Sequence, residues 1–278
     1  MTGKRPRGVL MGEGLAEPLL VAGRAPRVLA LHGFSGTPQE VALVVEVAHE
    51  LGLGAEAPLL PGHGERVSAL APLRFEDWLA AAEADYLRLA AQGPVVVAGL
   101  SMGALLALQL AARHPASTAG VVAMANAVWL NSPWPTWGLK LVDRLPVPDF
   151  WMPKAAPDLG DREQRAVHLT YNAQPIRAAI SLLHAGEAFA EELHRVRAPA
   201  LLLHGALDRV TPVSNAWRVA VRLGSLDKRT VVFPRSRHIL TRDVEREDVR
   251  RELRTFLARV ASGYLDLGGL GRQDHDRP

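Results

Sequence analysis

The sequence predicts an α/β protein with a mostly parallel central sheet, flanking helices and an inserted lid. Short apolar segments alternate with segments whose apolar residues recur every three to four positions, the pattern of parallel strands joined by crossover helices. This alternation lapses once, over residues 126–195, where prolines are frequent. Hydrophobic residues form 48% of the 278 positions, enough for one large core.

The first part of the chain supplies most of the predicted sheet. Residues 9–11 and 19–21 are short apolar segments that we expect to pair as antiparallel strands. Apolar segments predict four further strands, at 27–31, 55–60, 95–98 and 120–125. Amphipathic spacing predicts the helices between them, at 39–51, 75–92 and 102–113.

The pattern resumes after the interruption. Apolar segments predict strands at 200–203 and 230–233, and an amphipathic segment predicts a final helix at 249–260. Residues beyond that helix are Gly-rich and polar, typical of a frayed end. The predicted organisation is a core of residues 1–125 and 196–261, an inserted cap of residues 126–195, and a flexible C-terminal tail of residues 262–278.

Composition excludes several classes of protein. The chain has no cysteine, which rules out disulfides, thiolate metal sites and a cysteine nucleophile. Its 32 basic and 29 acidic residues nearly balance and form no long basic segment, which argues against nucleic-acid binding. No stretch reaches the roughly 18 apolar residues of a membrane span, and residues 1–12 lack the apolar part of a signal peptide. We therefore expect a soluble, cytoplasmic protein.

The pentapeptide Gly99–Gly103 predicts a nucleophile at Ser101. It follows a buried strand and precedes a helix, the context in which G-x-S-x-G forms a sharp turn that exposes the serine hydroxyl. The N-terminus of that helix directs N–H groups toward developing negative charge. The alternative is a glycine-rich turn of a nucleotide-binding sheet, but such turns usually carry G-x-G-x-x-G and a later acid.

Asp208 and His238 are the predicted acid and base. His238 follows the last strand by a short loop, whereas His275, the other histidine beyond Asp208, lies in the polar tail. Asp208 follows strand 200–203 by a short turn and would hold the tautomer of His238 and stabilise its imidazolium form. Capping a helix or holding a turn is the alternative role for Asp208. The alternative acids lie in the cap, at Asp143, Asp149, Asp158 and Asp161.

Two backbone N–H groups are predicted to stabilise the oxyanion of a tetrahedral intermediate. One belongs to Met102, directly after the nucleophile. The other belongs to Phe34, in the loop after strand 27–31, where Gly33 allows close approach. Three other histidines lack companion carboxylates at metal-ligand spacing, so we interpret them as structural and predict no metal: His32, His63 and His204.

Five segments together resemble bacterial carboxylesterases and monoacylglycerol lipases of the α/β-hydrolase fold: Leu31–Pro38, Pro61–Gly64, Phe75–Trp78, Gly99–Gly103 and Ser236–Asp243. The resemblance implies a cofactor-free serine esterase with a small lid, whose substrates are a small-molecule ester and water. Two features depart from the family. Ala104 stands where a second glycine is common, and residues 126–195 do not match closely.

Four of the six tryptophans lie in or beside the cap, at Trp129, Trp134, Trp137 and Trp151. Aromatic side chains near a serine nucleophile suit a hydrophobic acyl or aryl group, so we expect these rings to line the substrate pocket. The alternative is that they pack the cap onto the core.

The triad and the aromatic residues predict hydrolysis of a carboxylic ester of short- to medium-chain acyl or aryl type, through an acyl-enzyme on Ser101. The resemblance adds monoacylglycerols to the expected substrates. The same triad would serve a thioesterase, a carbon–carbon bond hydrolase or a perhydrolase. A binding protein built on a hydrolase fold is the alternative from another class. The serine at position 101 argues against epoxide hydrolases and haloalkane dehalogenases, which use aspartate there.

Overall fold

The computed structural model describes residues 9–10, 16–131, 151–154 and 156–270. Its strands are, in chain order, β1 (Val9–Leu10), β2 (Leu19–Val21), β3 (Arg24–Leu31), β4 (Leu53–Ala57), β5 (Val95–Leu100), β6 (Thr118–Met124), β7 (Trp151–Pro153), β8 (Leu169–Thr170), β9 (Ala173–Pro175), β10 (Ala200–Gly205) and β11 (Lys228–Phe233). Its α-helices are α1 (Ala42–Glu50), α2 (Phe75–Ala90), α3 (Met102–Arg113), α4 (Arg162–Val167), α5 (Ile176–Phe189), α6 (Asn215–Arg222) and α7 (Arg246–Leu270).

The central sheet has seven strands in the order β11-β10-β6-β5-β3-β4-β2. Every neighbouring pair is parallel except β2 and β4, which are antiparallel. Both faces of the sheet are covered, as parallel sheets require. This architecture confirms the predicted fold class.

Each face of the sheet has its own hydrophobic core. On one face the side chains of α2, α3 and α5 pack on the strands, with Trp78 and Tyr86 fully buried. On the other face α1 and α7 do the same, through side chains such as Val44 and Leu253. Complete burial of one such large apolar side chain stabilises the fold by about 1.5–3 kcal/mol. The two cores hold the carboxyl ends of β3, β5, β10 and β11 as a rigid platform.

The predicted pairing of the two opening strands is wrong. β2 pairs with β4 in antiparallel register, Leu19 opposite Ala57, while β1 pairs in parallel with β8, Val9 opposite Leu169. The side of β4 away from β3 is a sheet edge, and β2 satisfies its backbone groups there.

Several element boundaries also differ from the prediction. β4 ends at Ala57, before Pro58, which has no N–H to donate to the ladder. The helix predicted at 39–51 is divided, since a short 3₁₀ helix at Pro38–Glu40 precedes α1. The final helix continues to Leu270, past the position where the sequence predicted a tail.

Residues 151–154 and 156–195 form small elements beside the sheet rather than continuing it. β7 and β9 pair as a short antiparallel ribbon, Trp151 opposite Pro175. α5 packs against α2 and α3. In the described ranges, none of the helices combines the length and the apolar character needed to cross a bilayer.

Candidate active site

Ser101 lies on the sharp turn between β5 and α3, as the sequence predicts. Its backbone angles are φ 57° and ψ −116°, in a region that residues with a side chain rarely occupy. The strain is maintained because β5 and α3 are both almost fully buried and fix the two ends of the turn. The turn therefore presents the Ser101 side chain at the carboxyl end of the sheet.

The two glycines of the pentapeptide are required by close backbone contacts. A Cβ on Gly99 would lie 2.0 Å from the carbonyl oxygen of Gly103, and a Cβ on Gly103 would lie 2.0 Å from that of Leu31. Real Cβ atoms do not approach backbone so closely, so any side chain at either position would move α3 away from β3 or β5. Close packing of α3 on the sheet, as well as the sharp turn, therefore requires glycine at both positions.

His238 and Asp208 are brought together by the loops after β11 and β10. His238 Nδ1 donates to Asp208 Oδ2 over 2.8 Å. The Asp208 side chain has no exposed surface, and 10% of the His238 side chain is exposed. The carboxylate therefore fixes the tautomer that leaves Nε2 of His238 as a proton acceptor.

Asp208 is held by several donors besides His238. Its Oδ1 accepts the backbone N–H groups of Val210 (2.8 Å) and Thr211 (2.9 Å), and its Oδ2 accepts the Thr211 hydroxyl (2.7 Å). His204 Nε2 lies 3.2 Å from the same Oδ2. The sequence predicts a structural role for His204, and the structure places it against the carboxylate of Asp208, a contact that was not predicted. Its position four residues before Asp208, at the end of a buried strand, was the signal available.

The electrostatics of this pair suit a base that can also hold a proton. Burial alone would raise the pKa of Asp208, but the charge of His238 and the hydrogen bonds from both histidines lower it strongly. Burial alone would lower the pKa of His238, but the charge and hydrogen bond of Asp208 raise it above 6.5. The carboxylate is thus ionised wherever His238 titrates.

Asp158, one of the alternative acids, lies nearby but not against the imidazole. Its Oδ2 accepts the backbone N–H groups of Arg209 (2.9 Å) and His238 (3.4 Å), and Arg237 lies 3.3 Å from its Oδ1. It holds the two loops that carry Asp208 and His238. Asp161 caps α4 by accepting two of its N–H groups. Asp143 and Asp149 lie outside the described residues.

Ser101 and His238 line the same cavity. Among the hydrogen bonds of the described residues there is none between the Ser101 hydroxyl and the imidazole. Such contacts are often long before substrate binds, so the shared cavity and the buried acid–base pair define the site.

The two predicted oxyanion donors flank Ser101. Met102 is the first residue of α3, and Phe34 follows Gly33, where an added Cβ would lie 3.3 Å from Ser101 Cβ. Within the described ranges, neither the Phe34 nor the Met102 backbone N–H donates to a protein acceptor. Both groups are available to a ligand oxygen beside Ser101.

The Phe34 loop is held by side chains on both sides of the donor. The Gly33 N–H donates to Glu40 Oε2 (3.0 Å), and the Ser35 N–H donates to His63 Nε2 (3.0 Å). His32 Nε2 accepts the N–H of Leu60 (3.1 Å) in the same manner. His32 and His63 therefore have the structural role that the sequence predicted. Burial lowers the pKa of His32 to about 4 and that of His63 well below 6.5, so both rings stay neutral acceptors.

A cavity of about 550 Å³ opens beside Ser101, within the range of small-molecule sites. Its apolar lining includes Leu130, Leu182 and Ile239. Six charged residues also line it, and half of them come from the segment 126–195: Glu40, Lys154, Asp158, Arg165, Arg209 and Arg237. The described part of the chain contains no cluster of three or more His, Asp or Glu side chains that could hold a metal ion.

The two described tryptophans of the predicted pocket are not among the cavity-lining residues. Trp129 packs on the core, and the Arg218 guanidinium lies 3.7 Å from its ring centre. Trp151 is 41% exposed on β7. Neither described ring therefore lines the cavity beside Ser101, contrary to the expectation. Trp134 and Trp137 lie outside the described residues.

The chain is similar to known proteins over most of its length. The family described as serine aminopeptidase, S33, matches residues 25–245. A thermostable monoacylglycerol lipase of Bacillus sp. (strain H-257) is 29% identical over 248 residues, which cover 88% of this chain and 96% of that protein. A pimeloyl-[acyl-carrier protein] methyl ester esterase of Aromatoleum aromaticum is 31% identical over 224 residues, 71% of this chain and 86% of that protein. A solved structure reported for the metagenome-derived lipolytic enzymes LipS and LipT matches with a TM-score of 0.80 and 28% identity, covering 90% of this chain and 98% of that one.

Proposed function

The chain belongs to the α/β-hydrolase family described as serine aminopeptidase, S33, and is a carboxylic ester hydrolase; we propose that it works through an acyl-enzyme on Ser101. In this proposal His238 is the general base and acid, Asp208 orients it, and the Phe34 and Met102 N–H groups bind the oxyanion. The observation that carries the proposal is that the strained Ser101, the Phe34 loop and His238, which is paired with the buried Asp208, meet at one cavity.

The reaction divides into two steps with the same parts. Ser101 Oγ attacks the ester carbonyl carbon while His238 Nε2 accepts its proton, and the carbonyl oxygen gains the negative charge that the two N–H groups stabilise. His238 then gives that proton to the leaving alkoxide as the carbon–oxygen bond breaks. Water repeats the sequence on the acyl-enzyme, releasing the carboxylic acid and restoring Ser101. Loss of one oxyanion donor alone typically lowers kcat by about 10²–10³-fold.

The substrate we propose is an ester of short- to medium-chain acyl, aryl or monoacylglycerol type. Leu130, Leu182 and Ile239 supply an apolar wall for an acyl chain. The charged wall, which includes Lys154 and Asp158, suits a polar alcohol part. The relative from Bacillus sp. is named a monoacylglycerol lipase, a substrate class that combines the two.

We also propose that residues 126–195 act as the cap over this site. Support comes from the cavity lining, which includes residues spread over the segment from Leu130 to Leu182. In this proposal the core supplies the reacting groups and the cap selects the ester.

Labelling with a fluorophosphonate and turnover of p-nitrophenyl esters test the mechanism together. Ser101→Ala should abolish labelling and lower kcat by about 10⁴–10⁶-fold, because triad members act as a unit. Asp208→Asn and His238→Ala should each remove most activity, with little further loss when combined. Ser214→Ala, at the start of α6, is the control that should keep labelling and turnover.

Two outcomes would contradict the assignment. Retention of a tenth of the activity in pure Ser101→Ala protein excludes the acyl-enzyme, and near-normal activity in Asp208→Asn moves the acid elsewhere. A parallel panel of monoacylglycerols and acyl-CoA thioesters tests the substrate class, since faster turnover of the thioesters would favour a thioesterase.

A further inference from the structure

A lysine from the proposed cap reaches the loop that carries one oxyanion donor. Lys154, directly after β7, donates from Nζ to Ser35 Oγ over 2.6 Å and lies 3.4 Å from the Ser35 carbonyl oxygen. Ser35 is 1% exposed and directly follows Phe34. The contact therefore fixes the loop at the residue next to the donor.

The contact complements one on the other side of Phe34. Glu40 Oε2 accepts the Gly33 N–H, so Glu40 and Lys154 hold the residues before and after the donor. The two side chains also interact with each other. Burial lowers the pKa of Lys154 and the charge of Glu40 opposes that shift. The residues on either side of Phe34 are thus held by Glu40 from the core and by Lys154 from the proposed cap.

Lys154 is itself well anchored. Its backbone N–H donates to the carbonyl oxygen of Asn172 (2.9 Å), at the end where β7 pairs with β9. Across the described residues, its hydrogen bonds to Ser35 are the ones that join the loop 33–36 to the segment 151–195. A shift of the β7–β9 ribbon would therefore act on the loop through this side chain.

We propose that Lys154 is a positioning residue, which aims the Phe34 N–H at the oxyanion only while the cap lies against the core. The inference rests on the proposed function. Oxyanion stabilisation depends on donor alignment, and a displacement of about 1 Å can lower the rate by about 10²-fold. Lys154→Met should accordingly lower kcat by about 10- to 100-fold, with a much smaller change in KM.

The experiment compares Lys154→Met, Lys154→Arg, Ser35→Ala and the Lys154→Met/Ser35→Ala double variant on p-nitrophenyl acetate and a medium-chain ester. The Arg variant keeps charge and donors and should recover most of kcat. The Ser35→Ala change removes one acceptor, so Lys154→Met should lower kcat less in that background than in wild type. Lys228→Met is the matched control, since Lys228 Nζ donates to the Leu223 carbonyl oxygen, away from the cavity, and its loss should leave kcat unchanged.

Each failure has its own signature. If Ser101→Ala turns over ester as fast as the wild type, the proposed function itself is wrong, and the role of Lys154 is lost with it. If turnover depends on Ser101 but Lys154→Met behaves like Lys228→Met, or its effect adds independently to that of Ser35→Ala, the positioning role is overturned. A loss that appears in KM and grows with ester size would instead mean that Lys154 binds substrate directly. Should Lys154→Met not fold, a kcat for Ser35→Ala equal to wild type overturns the proposal.

Discussion

Replacing Ser101 with glycine should abolish esterase activity and raise the stability of the fold. The residue has φ 57° and ψ −116°, where a Cβ is crowded and glycine is not. Its side chain accepts no hydrogen bond from the N-terminus of α3, so its removal leaves that helix end as it was. In the proposed mechanism this strained residue is also the nucleophile, so the substitution removes both the strain and the reacting hydroxyl.

The expected size of the effect follows from two opposing contributions. Relief of a sparsely populated backbone conformation is worth about 1–3 kcal/mol. The added freedom of glycine in the unfolded chain offsets about 0.5–1 kcal/mol of that. A net gain of about 1 kcal/mol remains in the free energy of unfolding. For 278 residues, an unfolding entropy of about 2.1 cal/mol/K per residue makes this about 2 °C in Tm.

Calorimetric or fluorimetric melting of three variants tests the reasoning. Ser101→Gly should melt above Ser101→Ala, which is equally inactive but keeps the strained backbone. Ser214→Gly is the matched control, because Ser214 also begins a helix without a side-chain cap but has an ordinary φ of −59°. It should melt below wild type. If Ser101→Gly loses stability as Ser214→Gly does, the elbow is not strained.

Two further predictions concern pH. Esterase activity should rise with pH through a midpoint above 6.5. Asp208 raises the pKa of His238, and the proposed mechanism uses the neutral imidazole as the base. A flat kcat/KM between pH 5 and 8 would contradict this. Stability should fall as pH drops from about 6.5 to 4, because unfolded His32 binds a proton that the native state, with a pKa of about 4, excludes. This pKa difference lowers the free energy of unfolding by about 3 kcal/mol between pH 7 and 4, as measured by urea unfolding. The loss should be smaller in His32→Gln. Equal stability of the wild type at pH 7 and 4 would refute the prediction.

The proposed triad could be located from the sequence because its motif, its flanking strands and its chain order are all visible there. Gly99 and Gly103 lack the side chain that would clash with neighbouring backbone. A serine between two such glycines on a strand–helix turn has few other interpretations. His238 followed from chain order, since it lies just after the last strand. Asp208 was predicted from its place after the preceding strand, and a 2.8 Å contact joins it to His238.

The features that the sequence did not predict depend on distant contacts. The partner of β2 is set by which sheet edge stays open, and nothing in residues 19–21 encodes that β4 provides it. Lys154 and Glu40 belong to no motif that the sequence analysis singled out, yet folding places both at the cavity and against one loop. Aromatic composition likewise suggested a pocket at Trp129, whose ring instead packs beneath Arg218.

The origin of the cavity wall in the chain indicates how the ester preference could be changed. Much of the wall comes from one continuous stretch of chain, while Phe34, Ser101, Asp208 and His238 lie in loops after four separate strands. Exchanging that stretch between homologous proteins would change the shape around the ester without touching a single bond-making atom. If Lys154 positions Phe34 as proposed, a transplanted segment would keep the full rate only if it delivered a hydrogen-bond donor to Ser35. The exchange would then change ester selection and catalytic rate together.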